Sequence, residues 1–151
     1  MTGFDADLFA QRRVGGDAAA FDYVMSLAKT GDAAAQTIAG QMLLDGQGCA
    51  QQPAEAVYWF MHAAHQHSPM AMNMLGRCHE NGWGTEVDQP LAAVWFRRAA
   101  EHGLDWGMYN YAHMLERGRG VAAARGKAFH WFTQAAELGH ARAMNFFARY
   151  H

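Results

Sequence analysis

Trp59, Trp95 and Trp131 stand 36 positions apart, and most of what surrounds them returns at the same interval without a gap. A period of this length constrains the fold more than any local propensity. A unit so short cannot close a core alone and must bury its apolar face on its neighbours, as in a solenoid. Small residues at Ala35, Ala71, Gly107 and Ala143 open the units. They are followed by Ala39-Gly40, Leu75-Gly76, Tyr111-Ala112 and Phe147-Ala148. Three G-x-G punctuations come next (Gly46-Gln47-Gly48, Gly82-Trp83-Gly84, Gly118-Arg119-Gly120), then Ala56, Ala92 and Ala128, the Trp-Phe pairs, and Ala63-Ala64, Ala99-Ala100 and Ala135-Ala136.

Each unit reads as two helices. In the first, for example over 70–80, Ala71, Met74, Leu75 and Cys78 form one buried stripe at i, i+3, i+4, i+7 spacing. It stops at the G-x-G, where glycine supplies a left-handed helix end. The second starts near Pro53, Pro90 or Arg125, since Pro suits a first turn that has no use for its missing N–H, and it ends at Gly103 or Gly139. Burying an aromatic of Trp size contributes roughly 4–6 kcal/mol gross, so the three indoles are expected to lock the array. The paired alanines let helices approach beside them. The expected fold is an all-α, right-handed superhelical solenoid forming one domain over 1–151. It comprises an N-terminal cap and half repeat (1–31), three repeats (32–67, 68–103, 104–139) and a capping helix (140–151). Within the first segment a short helix is expected near 7–13, and then a second-type helix with Asp17 as its N-cap.

Composition narrows function further. A formal charge of −2 and scattered arginines lack the stripe of a nucleic-acid footprint, and no apolar run approaches the roughly 18 residues of a membrane span. The N-terminal residues carry no secretion signal, and Cys49 and Cys78 have no recurring partner, so a cytoplasmic setting is expected. No H-E-x-x-H or phosphate loop is present, and the G-x-G turns follow helices instead of strands, so neither catalysis nor a cofactor is expected. The densest histidine cluster, His62, His65 and His67, is a weak metal candidate, because no Asp, Glu or Cys accompanies it and its counterparts one unit on are Arg98, Glu101 and Gly103. His79 occupies a packing position and reads as a core histidine.

The residues quoted above resemble the Sel-one-like repeats, a subclass of the tetratricopeptide superfamily. Ala71, Leu75, Gly76, Gly82, Gly84, Asp88, Ala92, Trp95, Ala99, Ala100 and Gly103 follow that pattern. The chain departs from it at Leu43, His79 and Leu115, where Tyr is frequent, and at His67, where a closing Gly is usual. The resemblance implies first helices on the concave side and a role in binding proteins, as adaptor, signalling or immunity protein. A cysteine-rich branch of the family is linked to β-lactam binding, but its Cys pairs are missing here.

On that concave side the non-repeating positions form columns: Ala34, Met70, Trp106, Arg142; Thr37, Asn73, Tyr109, Asn145; Gln41, Arg77, His113, Arg149; and Leu44, Glu80, Glu116. The expected partner-binding groove uses Gln41, Met70, Asn73, Arg77, Glu80, Trp106, Tyr109, His113, Glu116, Arg142, Asn145 and Arg149. Trp106 and Tyr109 serve as anchors and the arginines as carboxylate or backbone holders. Glu80 and Glu116 are expected opposite Arg77 and Arg117. Trp83, between two glycines, is either a loop contact or folded over the neighbouring repeat. Four helices about 8–10 Å apart would offer about eight residues of extended peptide a seat. The expected partner is a protein or peptide, such as a toxin or secreted effector neutralised by an immunity protein. The alternatives are a multi-partner scaffold and a histidine-dependent metal regulator. The molecule itself is expected to be a monomer or weak dimer, with Phe146, Phe147 and Tyr150 as the contact in the latter case.

Overall fold

The structure, a computed structural model, describes residues 3–150. Among these residues it contains nine α-helices and no strand: α1 (Ala6–Val14), α2 (Asp17–Ala28), α3 (Ala33–Asp45), α4 (Pro53–His65), α5 (Pro69–Asn81), α6 (Gln89–Glu101), α7 (Asp105–Arg117), α8 (Arg125–Glu137) and α9 (Ala141–Tyr150). Each helix packs on the next in chain order. In addition α5 touches α7, so the first helices of successive units lie closer together than the second helices and line the inner side of the array. The side chains of Phe147 and Tyr150 lie outside those described.

Local chemistry sets the boundaries. Asp32 and Ser68 cap α3 and α5 by accepting from the N–H of Ala35 and Ala71, the arrangement that satisfies an orphan donor of a first turn. In the fourth unit the same place is taken by His140, whose Nδ1 accepts from Ala143 N–H at 3.3 Å. Asp17 is not a cap: it is the first residue of α2, Gly16 precedes it without a side-chain cap bond, and its carboxylate pairs with Arg13 at 3.6 Å. The chain enters that helix through the φ of 115° at Gly16.

The two glycines of each G-x-G do different jobs. Gly46, Gly82 and Gly118 end their helices in the left-handed conformation. Gly48, Gly84 and Gly120 press against the backbone at Asp17, Pro53 and Gln89, where the second helix of the preceding unit begins, and a Cβ there would collide with a carbonyl. The second glycine is therefore where one unit docks on the last.

The core differs from expectation in which ring lies at its centre. Phe60, Phe96 and Phe132 are fully buried at 0% exposure, whereas Trp59 and Trp95 keep 8% and 7% and Trp131 is only half-buried. The Phe60 and Phe96 rings lie against Gly40 and Gly76, where an added Cβ would come within 2.5 Å of ring carbons, while the equivalent position in the third unit is Ala112. The helix backbone thus packs directly on the Phe, and the indoles close the core from outside as its lid. Leu44, expected on the exposed face, is buried at the inner end of α3 because it joins this core.

Candidate functional site

The inner face of α5, α7 and α9 gathers the polar and aromatic side chains that do not repeat. Trp106, in the first turn of α7, keeps 37% of its surface in solvent. Its ring stands perpendicular to His140 at 4.4 Å and to Tyr109 at 6.1 Å, and the Arg142 guanidinium lies 5.2 Å above it. Tyr109 stacks on His140 at 4.8 Å and meets His113 edge-on at 4.5 Å. Below them Phe132 packs on Phe146 at 4.1 Å. The exposed indole is thus held on a rigid aromatic base, a favourable state for an anchor because little rotamer freedom remains to be lost on binding.

Two clefts open beside this cluster and share Tyr109, His113 and Arg142. One, of about 230 Å³, runs toward Glu80, Arg117 and Arg119; the other, of about 330 Å³, runs toward Asn145 and Arg149. Both lie at or below the low end of small-molecule pockets, about 300–1,000 Å³. They suit side chains presented by a larger partner better than they suit an enclosed metabolite.

The remaining expected residues divide. Asn73 is buried at 4% and accepts from Asn110 Nδ2 at 2.9 Å, so it fastens α5 to α7 and is not free for a partner. Arg77 does not face Glu80; its guanidinium lies 5.1 Å over Trp83, and this pair lines a separate cleft with Gln41. Trp83 itself is half-buried against the core, folded over the neighbouring repeat. Gln41 donates to Asp45 at 3.0 Å within its own helix. Glu80 pairs instead with Arg119, at 3.3 Å, because the third G-x-G loop delivers that arginine across from α7 to α5. Met70 is exposed in the first turn of α5, and Glu116 is half-buried beside Arg125 and Phe129.

Three contributors were missed in the sequence, Asn110, Arg119 and His140, while Arg117, expected opposite a carboxylate, has none within ion-pair distance among the described residues. Asn110 stands in the column Ile38, Met74, Asn110, Phe146, where one polar residue among apolar ones was a readable signal.

Burial pushes the His113 pKa down, reinforced by Arg117 and Arg119 and opposed by Glu116. Burial also lowers that of His140, with Arg142 acting in the same direction and Asp105 against it. Both rings are therefore neutral near pH 7 and serve as packing and hydrogen-bonding groups. His62 packs on Tyr58 at 4.5 Å while His67 stacks on His102 at 5.8 Å, so two of the three histidines of the cluster point into ring contacts. Among the described residues no group of three or more His, Cys, Asp or Glu is arranged to hold a metal ion. His67 adopts φ 66°, taking the left-handed position that glycine fills at Gly103 and Gly139. His79 is buried as expected, although its Nδ1 lacks a hydrogen-bond partner among the described residues. Burial holds the Cys78 thiol at a pKa of about 11, far from a reactive thiolate.

The Sel1 repeat pattern matches residues 33–67, 69–104 and 107–140, most of the chain. The chain belongs to the Sel1 repeat family. Among solved structures, this Sel1 repeat chain is similar to a protective antigen present in uropathogenic Escherichia coli strains and displaying an SLR fold. The TM-score is 0.88 at 31% identity, over 93% of this chain and 31% of that one. It is similar as well to a Sel1 repeat protein from Oxalobacter formigenes, with a TM-score of 0.86 at 28% identity over 95% of this chain and 60% of that one. The Helicobacter pylori cysteine rich protein B shares the fold at 18% identity, with a TM-score of 0.71 over 85% of this chain and 96% of that one. The chain thus spans about a third of the E. coli protein and three fifths of the Oxalobacter protein. No curated protein matches it in sequence. Among the described residues no helix is long and apolar enough to cross a membrane.

Proposed function

We propose that this Sel1 repeat chain is a non-catalytic binding module that holds one partner protein or peptide against the inner face of α5, α7 and α9, as a dedicated adaptor or an immunity protein for a toxin or secreted effector. The observation that carries the reading is Trp106: a large aromatic, 37% exposed, fixed between His140, Tyr109 and the Arg142 guanidinium on the inner face. Exposed aromatic and arginine side chains on a rigid base are the composition of interface hot spots. The free thiols of Cys49 and Cys78 support a reducing, cytoplasmic setting.

The test is titration calorimetry with the partner recovered from the native source. Trp106→Ala is expected to weaken binding by about 2 kcal/mol or more, roughly 30-fold. Losses of only tenths of a kcal/mol at Trp106 and Tyr109 would overturn the dedicated reading in favour of a scaffold with several weak partners.

A further inference from the structure

The chain carries a formal charge of −2, yet the two clefts beside Trp106 are ringed by Arg117, Arg119, Arg142 and Arg149. These come from three separate elements: the end of α7, the third G-x-G loop and α9, at both of its ends. Two carboxylates stand near, Glu80 and Glu116, with Asp105 close to His140. Of the four arginines only Arg119 is paired, with Glu80; among the described residues Arg117, Arg142 and Arg149 have no carboxylate within ion-pair distance. The Arg119–Glu80 pair is itself solvent-exposed, so an incoming anion can share it at little cost.

Cationic side chains converging on a cleft with buried walls focus the local potential. The neutral rings of Tyr109 and His113 between them add hydrogen-bonding atoms without opposing charge, and the His113 Nδ1 is buried without a hydrogen-bond partner among the described residues. Arg142 is already oriented by the Trp106 ring. A planar guanidinium so fixed favours forked recognition of a carboxylate.

Resting on the binding reading above and deepening it, we infer that the inner face between α7 and α9 takes an acidic peptide segment of the partner, whose Asp or Glu side chains enter the two clefts while a neighbouring side chain covers Trp106. Charge complementarity argues for this occupant. A nucleic-acid strand would meet the same arginines and the same exposed indole, and the oligonucleotide arm of the experiment separates the two.

The experiment is fluorescence anisotropy of the whole chain with labelled hexaglutamate, at low and physiological salt. Hexalysine, a hexathymidine oligonucleotide and inorganic phosphate are run in parallel, the last as a competitor. The expected result is saturable binding of hexaglutamate that falls about tenfold in the double variant Arg142→Ala/Arg149→Ala, falls in Arg117→Ala, and is unchanged in Arg97→Ala on the second helix α6. Arg142→Lys/Arg149→Lys keeps the charge and is expected to fall between wild type and the double alanine variant. The inference is overturned if hexaglutamate fails to bind, if the alanine pair binds it as wild type does, or if the oligonucleotide or phosphate binds as tightly. The two proposals fail separately. A partner released by Trp106→Ala but indifferent to the arginine variants leaves the binding module intact and removes the acidic segment. Hexaglutamate binding with a partner insensitive to Trp106→Ala does the reverse.

Discussion

Single atoms decide two of the joints. Gly84 and Gly103 both adopt left-handed φ, 72° and 87°, so an alanine at either position meets the same backbone penalty, about 1–2 kcal/mol. They differ in what surrounds them: nothing lies near a Cβ at Gly103, while one at Gly84 would run into the backbone at Pro53. Gly84→Ala should therefore cost about 1–3 kcal/mol more than Gly103→Ala in urea unfolding, and equal costs would deny the close docking of units. His140 gives a second test. Its Nδ1 accepts the Ala143 N–H, which requires a neutral ring, and burial holds its pKa below the usual value near 6.5. The unfolded chain takes up the proton first as pH falls, so this contribution to stability is complete above about pH 6.5 and is lost as pH falls below it. Asn keeps the cap and removes the titration. His140→Asn should lose less thermal stability than wild type between pH 7.5 and 5.5; an identical loss would show that the cap does not titrate.

Helix packing explains why the fold was legible throughout and the site only in part. The 36-residue period exists because the same steric problem recurs at each joint, so Gly48, Gly84 and Gly120 had to match, as did Phe60, Phe96 and Phe132. Repetition made these positions visible but did not rank them. The indoles stood out by size, yet burial falls first on the Phe beside each, and at Phe60 and Phe96 Gly40 and Gly76 bring the helix backbone onto that ring. Phe96→Ala is accordingly expected to cost about 3–5 kcal/mol in chemical denaturation. Ala99, fully buried where α6 meets α7, should tolerate no enlargement, with Ala99→Leu destabilising by about 1–3 kcal/mol. The binding face is made of residues that do not repeat, so no sister position reports their burial. Asn73 and Leu44 were misplaced for that reason, one drawn inward by the Asn110 amide and the other by the core. Arg119 was missed because its loop position is Gln47 and Trp83 in the other units, and only the packing of α7 on α5 brings it to Glu80.

Across the whole molecule, regular joints hold a face whose chemistry is concentrated at one end. The two clefts beside Trp106, the exposed indole and the four arginines all lie on α5, α7, α9 and the third loop, while the second helices carry exposed apolar residues such as Tyr58 and Val94 away from them. The most direct test is carbene footprinting of the chain, free and in complex with the partner recovered from its source, read residue by residue. Protection centred on Trp106, Tyr109 and Arg142, with Tyr58 and Val94 labelled equally in both states, is the predicted result. Protection of those second-helix residues with Trp106 left fully reactive would contradict the account.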